Sequence, residues 1–225
     1  MIEIVSATRF SKKEFWNTSA LGQSLKRFSH DKRLVWRIAF ENRFGLPKIY
    51  NDRINADNPS EIIVFIHDDV WIDDDLFGDH VIQGLQTYDV IGVVGNRRRA
   101  PRQPGWAMTS FTDDKLILDD RANMSGAIAH GEQAFSPIHV AGELGECEIL
   151  DGVFLAVKSA TLREKNVTFD PRFDFHFYDM DFCRSARRHG LRLGTWSINM
   201  THQSRGAYGA QWKQKYRTYL EKWGD

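Results

Sequence analysis

The sequence predicts an α/β fold in which a mostly parallel central sheet is flanked by helices, and three observations carry that prediction. A β-branched apolar run from Glu61 to Ile66 ends abruptly in His67-Asp68-Asp69. An unbroken run this short has the pattern of a strand covered on both faces. Strand-like and helix-like stretches alternate ahead of it, as in right-handed βαβ units. Its acids fall at the strand's C-terminal end, where open α/β sheets bind ligands.

Length and charge narrow the function classes. The 225 residues carry 30 Lys and Arg against 30 Asp and Glu, a formal net charge of zero. A nucleic-acid-binding protein would carry a basic excess, and Arg97-Arg98-Arg99 is too short a cluster to supply one. No apolar run approaches the roughly 20 residues needed to span a bilayer, and the N-terminus is strand-like, unlike a signal peptide. Cys147 and Cys183 are the two cysteines, far apart in the chain. Reduced thiols in a cytoplasmic protein are the expectation. There is no repeat of fixed period, and the length suits a single domain over 1–225.

Ile2 to Thr8 is expected to be a strand, followed by a helix that Ser11 and Glu14 open with capping-box spacing. Leu34 to Phe40 is the next strand, with helical signals after Pro47. The central strand, a helix over Asp73 to Thr87 and a strand over Val90 to Gly95 complete a nucleotide-binding half, residues 1–96. Residues 97–147 scatter Pro, Gly, Asp and Arg among isolated aromatics. They read as an irregular insertion, an acceptor-side loop or lid with a few short strands at most. Order returns in a strand over Glu148 to Val157, broken by Asp151-Gly152, a dipeptide suited to a bulge where something approaches the backbone. Ser159 is placed as the N-cap of the next helix. Another helix starts near Asp179 and stops at Gly190. Leu191 to Met200 is the last strand, and Ala210 to Trp223 a tail helix docking Trp212, Tyr216, Tyr219 and Trp223.

Candidate site residues follow from these placements. Asp68 and Asp69 repel each other as they leave a buried strand, so a cation between them and a polyanionic ligand would relieve the cost. Hard oxygen ligands favour Mg2+ or Mn2+. The alternative is that both acids cap the helix beginning near Asp73. The first strand ends in Ser6-Ala7-Thr8-Arg9-Phe10, without the glycine fingerprint of a dinucleotide site or a P-loop. A nucleotide would therefore depend on strand ends and on the turn from Glu41 to Leu46. There Asn42 could bond a base or ribose and Gly45 could let backbone approach, or the turn could be an ordinary one. Arg97, Arg98, Arg99 and Arg102 suit a phosphate, although a solvated basic loop accounts for them as well. His130 and His139 lack ligand spacing and are taken as structural or surface residues. Asp179 and Asp181 point to different faces of their helix. Asp181 is expected to pair with Arg184 or Arg188, leaving Asp179 to enter a cleft as a general base or simply to cap. His202, at a strand end beside the glycine-rich stretch 203–209, is placed to join Asp69 around a metal, although taken alone a histidine there is more often a surface residue.

Taken together, Asn42-x-x-Gly45, His67-Asp68-Asp69, Asp151-Gly152-Val153-Phe154, Tyr178-Asp179-Met180-Asp181-Phe182-Cys183-Arg184, Gly190-Leu191-Arg192-Leu193 and His202 resemble the GT-A glycosyltransferases of family 2. The likeness is greatest to the glycosyltransferase-like branch named after a streptomycin biosynthesis protein. It covers residues 1–96 and 148–209 and leaves the middle segment unmatched. The resemblance implies a GT-A fold with a catalytic, acceptor-binding half over 148–225. It implies metal-dependent transfer of a sugar from a nucleotide-diphosphate donor to an acceptor hydroxyl, with inversion. Carried over by position, Asp69 and His202 bind Mn2+ or Mg2+, and Asp179 is the catalytic base. Asn42, His67 and Asp68 stand on the nucleotide side, and Asp151 and Gly152 line the acceptor side. His67 and Tyr178 stand where the family usually has acids. A non-catalytic sugar-nucleotide-binding homologue and a sugar-phosphate nucleotidyltransferase are the competing readings.

Overall fold

The computed structural model describes residues 1–112, 115–204, 206 and 208–224. The N-terminal half runs β1 (Ile2–Ala7), α1 (Lys12–Thr18), α2 (Ala20–Arg27), β2 (Leu34–Ala39), α3 (Leu46–Ile54), β3 (Ile62–Ile66), β4 (Val70–Ile72), α4 (Phe77–Thr87), β5 (Val90–Gly92) and β6 (Val94–Asn96). The middle segment holds β7 (Met108–Thr112), β8 (Lys115–Leu118), β9 (Met124–His130), β10 (Ile138–Gly142) and β11 (Glu146–Cys147). The remainder is β12 (Ile149–Leu150), β13 (Phe154–Lys158), α5 (Ser159–Glu164), α6 (Tyr178–Arg188), β14 (Leu193–Thr195), β15 (Met200–His202) and α7 (Ala210–Trp223).

The seven-stranded sheet has the order β11-β14-β5-β13-β3-β1-β2. β1, β2, β3, β5 and β14 share one direction, while β13 and β11 run against it. All five residues of β3 are buried, and the side chains explain its lack of alternation. Ile63 and Phe65 pack with Tyr50, Phe169 and Phe182 on one face. Ile62, Val64 and Ile66 pack with Phe15, Leu21, Phe77 and Phe154 on the other. With both faces covered, each position removes apolar area from water, worth roughly 1.5–3 kcal/mol for a fully buried side chain. A second sheet, β12-β6-β9-β15-β4 with β10 beside β9, lies across the strand ends.

Several elements depart from the sequence expectation, each for a local reason. Asp73 does not start a helix: its carboxylate accepts from the Thr201 hydroxyl (2.6 Å) and its N–H donates to Asn199 O (2.9 Å), which keeps the chain extended. Asp74 accepts from Leu76 N–H, and α4 begins only at Phe77. The stretches 90–95 and 191–200 are each two short strands, because the chain leaves one sheet and enters the other within them. The capping box at Ser11 forms, but α1 ends at Ser19, whose hydroxyl caps α2. Ser159 is the first residue of α5, after Lys158 at the N-cap. Asp181 pairs with Lys222 Nζ (2.6 Å) and Trp223 Nε1 (2.9 Å) on α7, whereas Arg184 stacks on Trp223. The middle segment is more regular than expected, since β9 is an interior strand of the second sheet. Arg205 and Ala207, within the glycine-rich stretch, lie outside the described residues.

Candidate active site

The site lies on the seam between the sheets. β3 belongs to the first sheet and β4 to the second, so His67-Asp68-Asp69 are the residues that cross. Asp151-Gly152-Val153 make the reverse crossing from β12 to β13, and the His67 N–H donates to Val153 O at 3.2 Å, tying the two together. β15 pairs with β4, which sets His202 opposite Val70, and the Gln203 N–H donates to Asp69 O at 3.0 Å. β9 sets His130 opposite His202. The start of α6 supplies Tyr178 and Asp179. It is aimed by Phe177, whose φ of 66° is unusual for a bulky residue and is held by rings of Trp212, Tyr216 and Tyr219 within 5.5 Å.

These segments enclose a cavity of about 600 Å³. Asp68, Asp69, Asp151 and Asp179 line it with His67, His130, His176 and His202, and Tyr50, Trp106, Phe175, Tyr208 and Trp212 form aromatic wall. One ligand atom each from His67, Asp69 and His202 lies within 4.8 Å of the other two. Asp69 Oδ1 is 3.3 Å from His202 Nε2 and 4.0 Å from His67 Nδ1. Burial opposes the charge on Asp69. Its bonds to His202 and Ser204 and the charge of the His202 imidazole outweigh that and hold its carboxyl well below the usual range. His202 is raised in turn, Asp69 overcoming the burial that would lower it. Burial pushes His67 down, towards the neutral form that can ligate. One carboxylate and two imidazoles beside an open cavity are a donor set that fits a divalent cation.

Asp179 accepts the Gly152 N–H (3.0 Å) and the Met180 N–H (2.8 Å). Burial and the charge of Asp151 nevertheless push its carboxyl up to about 7, in the range a general base at neutral pH requires. Asp151→Asn removes that charge and is expected to lower the Asp179 pKa. Any activity that depends on Asp179 losing its proton would then keep its rate to lower pH, and an unmoved acidic limb in a pH–rate profile would count against the coupling. Gly152 is a close-approach glycine: an added Cβ would lie 2.3 Å from the Tyr178 hydroxyl. This is the backbone approach that Asp-Gly signalled in the sequence.

The other predicted positions fall as follows. Asp68 faces the cavity, with burial raising its carboxyl. Asn42 stands outside the lining. Its side chain accepts the Phe44 N–H (3.1 Å) and donates to Phe44 O (2.8 Å), shaping its own turn. Gly45 admits Asp174, whose Cα would lie 2.8 Å from an added Cβ. Arg97 donates to Glu143 O and Arg98 pairs with Asp119, so neither enters the cavity. Asp68 and Asp69 do not cap α4, which settles against the capping alternative. Trp106, His130, Phe175, His176 and Tyr208 line the cavity without having been assigned to the site from sequence; the His130 ring lies 5.7 Å from that of His202. In the structure β3, β9 and β15 all run out at a histidine: His67 just past β3, His130 and His202 as the last residues of β9 and β15.

Solved structures resemble this chain in fold. GalNAc-T7, solved with UDP, GalNAc and Mn2+, superposes with a TM-score of 0.58 at 8% identity, over 98% of this chain and 48% of that one. A mannosyltransferase from Pyrobaculum calidifontis, PcManGT, solved with GDP-Man and Mn2+, gives 0.50 at 12% identity, over 100% and 64%. The catalytic domain of Drosophila β1,4-galactosyltransferase 7 gives 0.50 at 11% identity, over 96% and 79%. The chain thus spans about half of the first of these and under two thirds of the second. These likenesses establish the GT-A type of α/β fold. No curated protein sequence matches significantly. Among the described residues no helix is long and apolar enough to cross a membrane. The family profile matches residues 39–222, a span that takes in the crossing acids, the start of α6 and His202, and by that match the chain belongs to the glycosyltransferase-like family.

Proposed function

We propose that this protein is a metal-dependent, inverting glycosyltransferase that moves a sugar from a nucleotide-diphosphate donor to an acceptor hydroxyl. The observation that supports it best is the convergence of His67, Asp69 and His202 in one cavity with Asp179. His67, Asp69 and His202 would hold the cation. When bound, a divalent ion supplies countercharge for the departing diphosphate. Asp68 borders the donor side, with Asn42 shaping a turn behind it. Asp151 and Gly152 form the acceptor side. Asp179 takes the proton from the acceptor hydroxyl as its oxygen bonds to the anomeric carbon and the bond from that carbon to the diphosphate oxygen breaks. Attack in one displacement inverts the stereocentre, whereas retention through a covalent intermediate requires a second carboxylate as nucleophile. The motif set supports family-2 chemistry of the streptomycin-biosynthesis type. The two cysteines, both free and buried, suit a reducing compartment such as the cytoplasm.

A thermal-shift screen of nucleoside diphosphates and their sugars, with and without Mn2+, tests the reading. A donor at one hundred times its Kd adds about 2.7 kcal/mol to native stability, a rise of several degrees, and only when the ion is present. Release of pyrophosphate from a nucleoside triphosphate and a sugar phosphate would instead identify a nucleotidyltransferase. Binding of a donor without turnover for any acceptor would leave a binding protein.

A further inference from the structure

His67 and Tyr178, the two residues that stand where acids are usual, are bonded to each other. The Tyr178 hydroxyl lies 2.8 Å from Gly152 O and 2.7 Å from His67 Nε2. It has one proton to give, and a carbonyl oxygen can only accept. When Tyr178 donates to Gly152 O, its oxygen accepts from His67 Nε2–H, and the lone pair of the neutral ring is left on Nδ1. The opposite tautomer would leave Gly152 O without that donor. It would also turn an Nδ1–H towards Asp69 across 4.0 Å, too far for a hydrogen bond. Nδ1 is the His67 nitrogen nearer to Asp69, so its lone pair faces the cluster that Asp69 and His202 complete.

We propose that Tyr178 is the positioning residue that keeps His67 in the tautomer able to ligate an ion shared with Asp69 and His202. The inference deepens the metal role assigned under the proposed function and rests on it. Mg2+ sheds water reluctantly and prefers oxygen ligands, whereas imidazole nitrogen suits later divalent ions, whose affinity rises from Mn2+ through Co2+. An outer partner that fixes a ligating histidine is worth about 10–100-fold in metal affinity. Gly152 takes part as well, because only a glycine there lets the Tyr178 ring come close enough.

The test is calorimetry of MgCl2, MnCl2 and CoCl2 with the whole protein, without donor or acceptor. Tyr178→Phe should weaken Co2+ about tenfold and alter the visible absorption of bound Co2+. In the His67→Asp background the same change should do nothing, since a carboxylate has no tautomer to fix. Equal losses in both backgrounds would make Tyr178 merely structural. Should Tyr178→Phe fail to fold, nitrogen-15 NMR of the His67 ring in metal-free wild type decides the tautomer, and a proton on Nδ1 overturns the positioning role. Co2+ uptake that Tyr178→Phe leaves unchanged would sink the positioning role while the proposed function stands. If none of the three ions binds, the metal reading falls and this inference with it.

Discussion

Replacing Asp179 by Asn is expected to lower sugar transfer by about 10²–10⁴-fold while donor and metal binding persist, the usual consequence of losing a positioned base. The side chain keeps its size but can no longer accept a proton. Its amide oxygen can satisfy the Gly152 or the Met180 N–H but not both well, at a cost of about 1 kcal/mol. The change also carries a pH signature. Burial and the charge of Asp151 push the folded carboxyl up to about 7, above the ordinary carboxylate range, so the native state holds a proton that the unfolded chain releases in between. Wild-type stability therefore declines as pH rises across that window, and the full penalty is present above pH 7. Asn carries no such penalty. The stability of the variant relative to wild type should rise between pH 4.5 and 8 by on the order of 1–2 kcal/mol, discounted because the carboxylate borders an open cavity. Denaturant titrations at the two ends of the range measure it. Undiminished transfer would remove Asp179 from the chemistry, and a constant stability difference would mean its carboxyl is not raised.

Asp69→Ala should cost about a thousandfold in transfer, the equivalent of roughly 4 kcal/mol, by removing the only carboxylate of the cation cluster. Here, unlike Asp179→Asn, the loss should appear in binding: calorimetry should show no metal-dependent uptake of donor. The substitution also strands His202, whose raised pKa depends on Asp69 overcoming burial. Without that partner the imidazole loses its proton more readily. The fold should survive, because β15 still pairs with β4 and the Asp69 backbone still accepts from Gln203 N–H. Metal-dependent donor binding that matched wild type would place the ion elsewhere.

Where the sequence pattern is local, it was legible. The run from Glu61 to Ile66 announced a strand buried on both faces, Ser11 and Glu14 announced a capped helix, and α7 spans the residues its aromatics predicted. Asp179 stands in the first turn of α6, one residue from the expected start. What stayed hidden depends on crossings between sheets. Residues 90–95 form one unbroken run of apolar residues and glycines, all buried, so nothing in it shows that Val94 belongs to a different sheet from Gly92. For the same reason His130 looked solitary, since its neighbour His202 is set beside it only by the pairing of β9 with β15. The bond between His67 and Tyr178 joins residues 111 positions apart, and in the sequence each looked like a separate departure from pattern. The capping ambiguity at Asp68 and Asp69 was resolved by Asp73, held extended by the distant Thr201 hydroxyl, and by Asp74, which competes with helix formation by accepting the Leu76 N–H locally.

The aromatic wall has a practical consequence. Of the seven tryptophans, Trp106 and Trp212 face the cavity, while Trp16, Trp36, Trp71, Trp196 and Trp223 are not part of its lining. Trp106 is fixed by its carbonyl, which accepts from Asn96, and Trp212 is stacked against Tyr216 at 5.4 Å. A molecule entering the cavity would displace water from two rigid indoles, so the protein carries its own optical probe of occupancy. Its intrinsic fluorescence could follow donor and acceptor arrival in real time without a label.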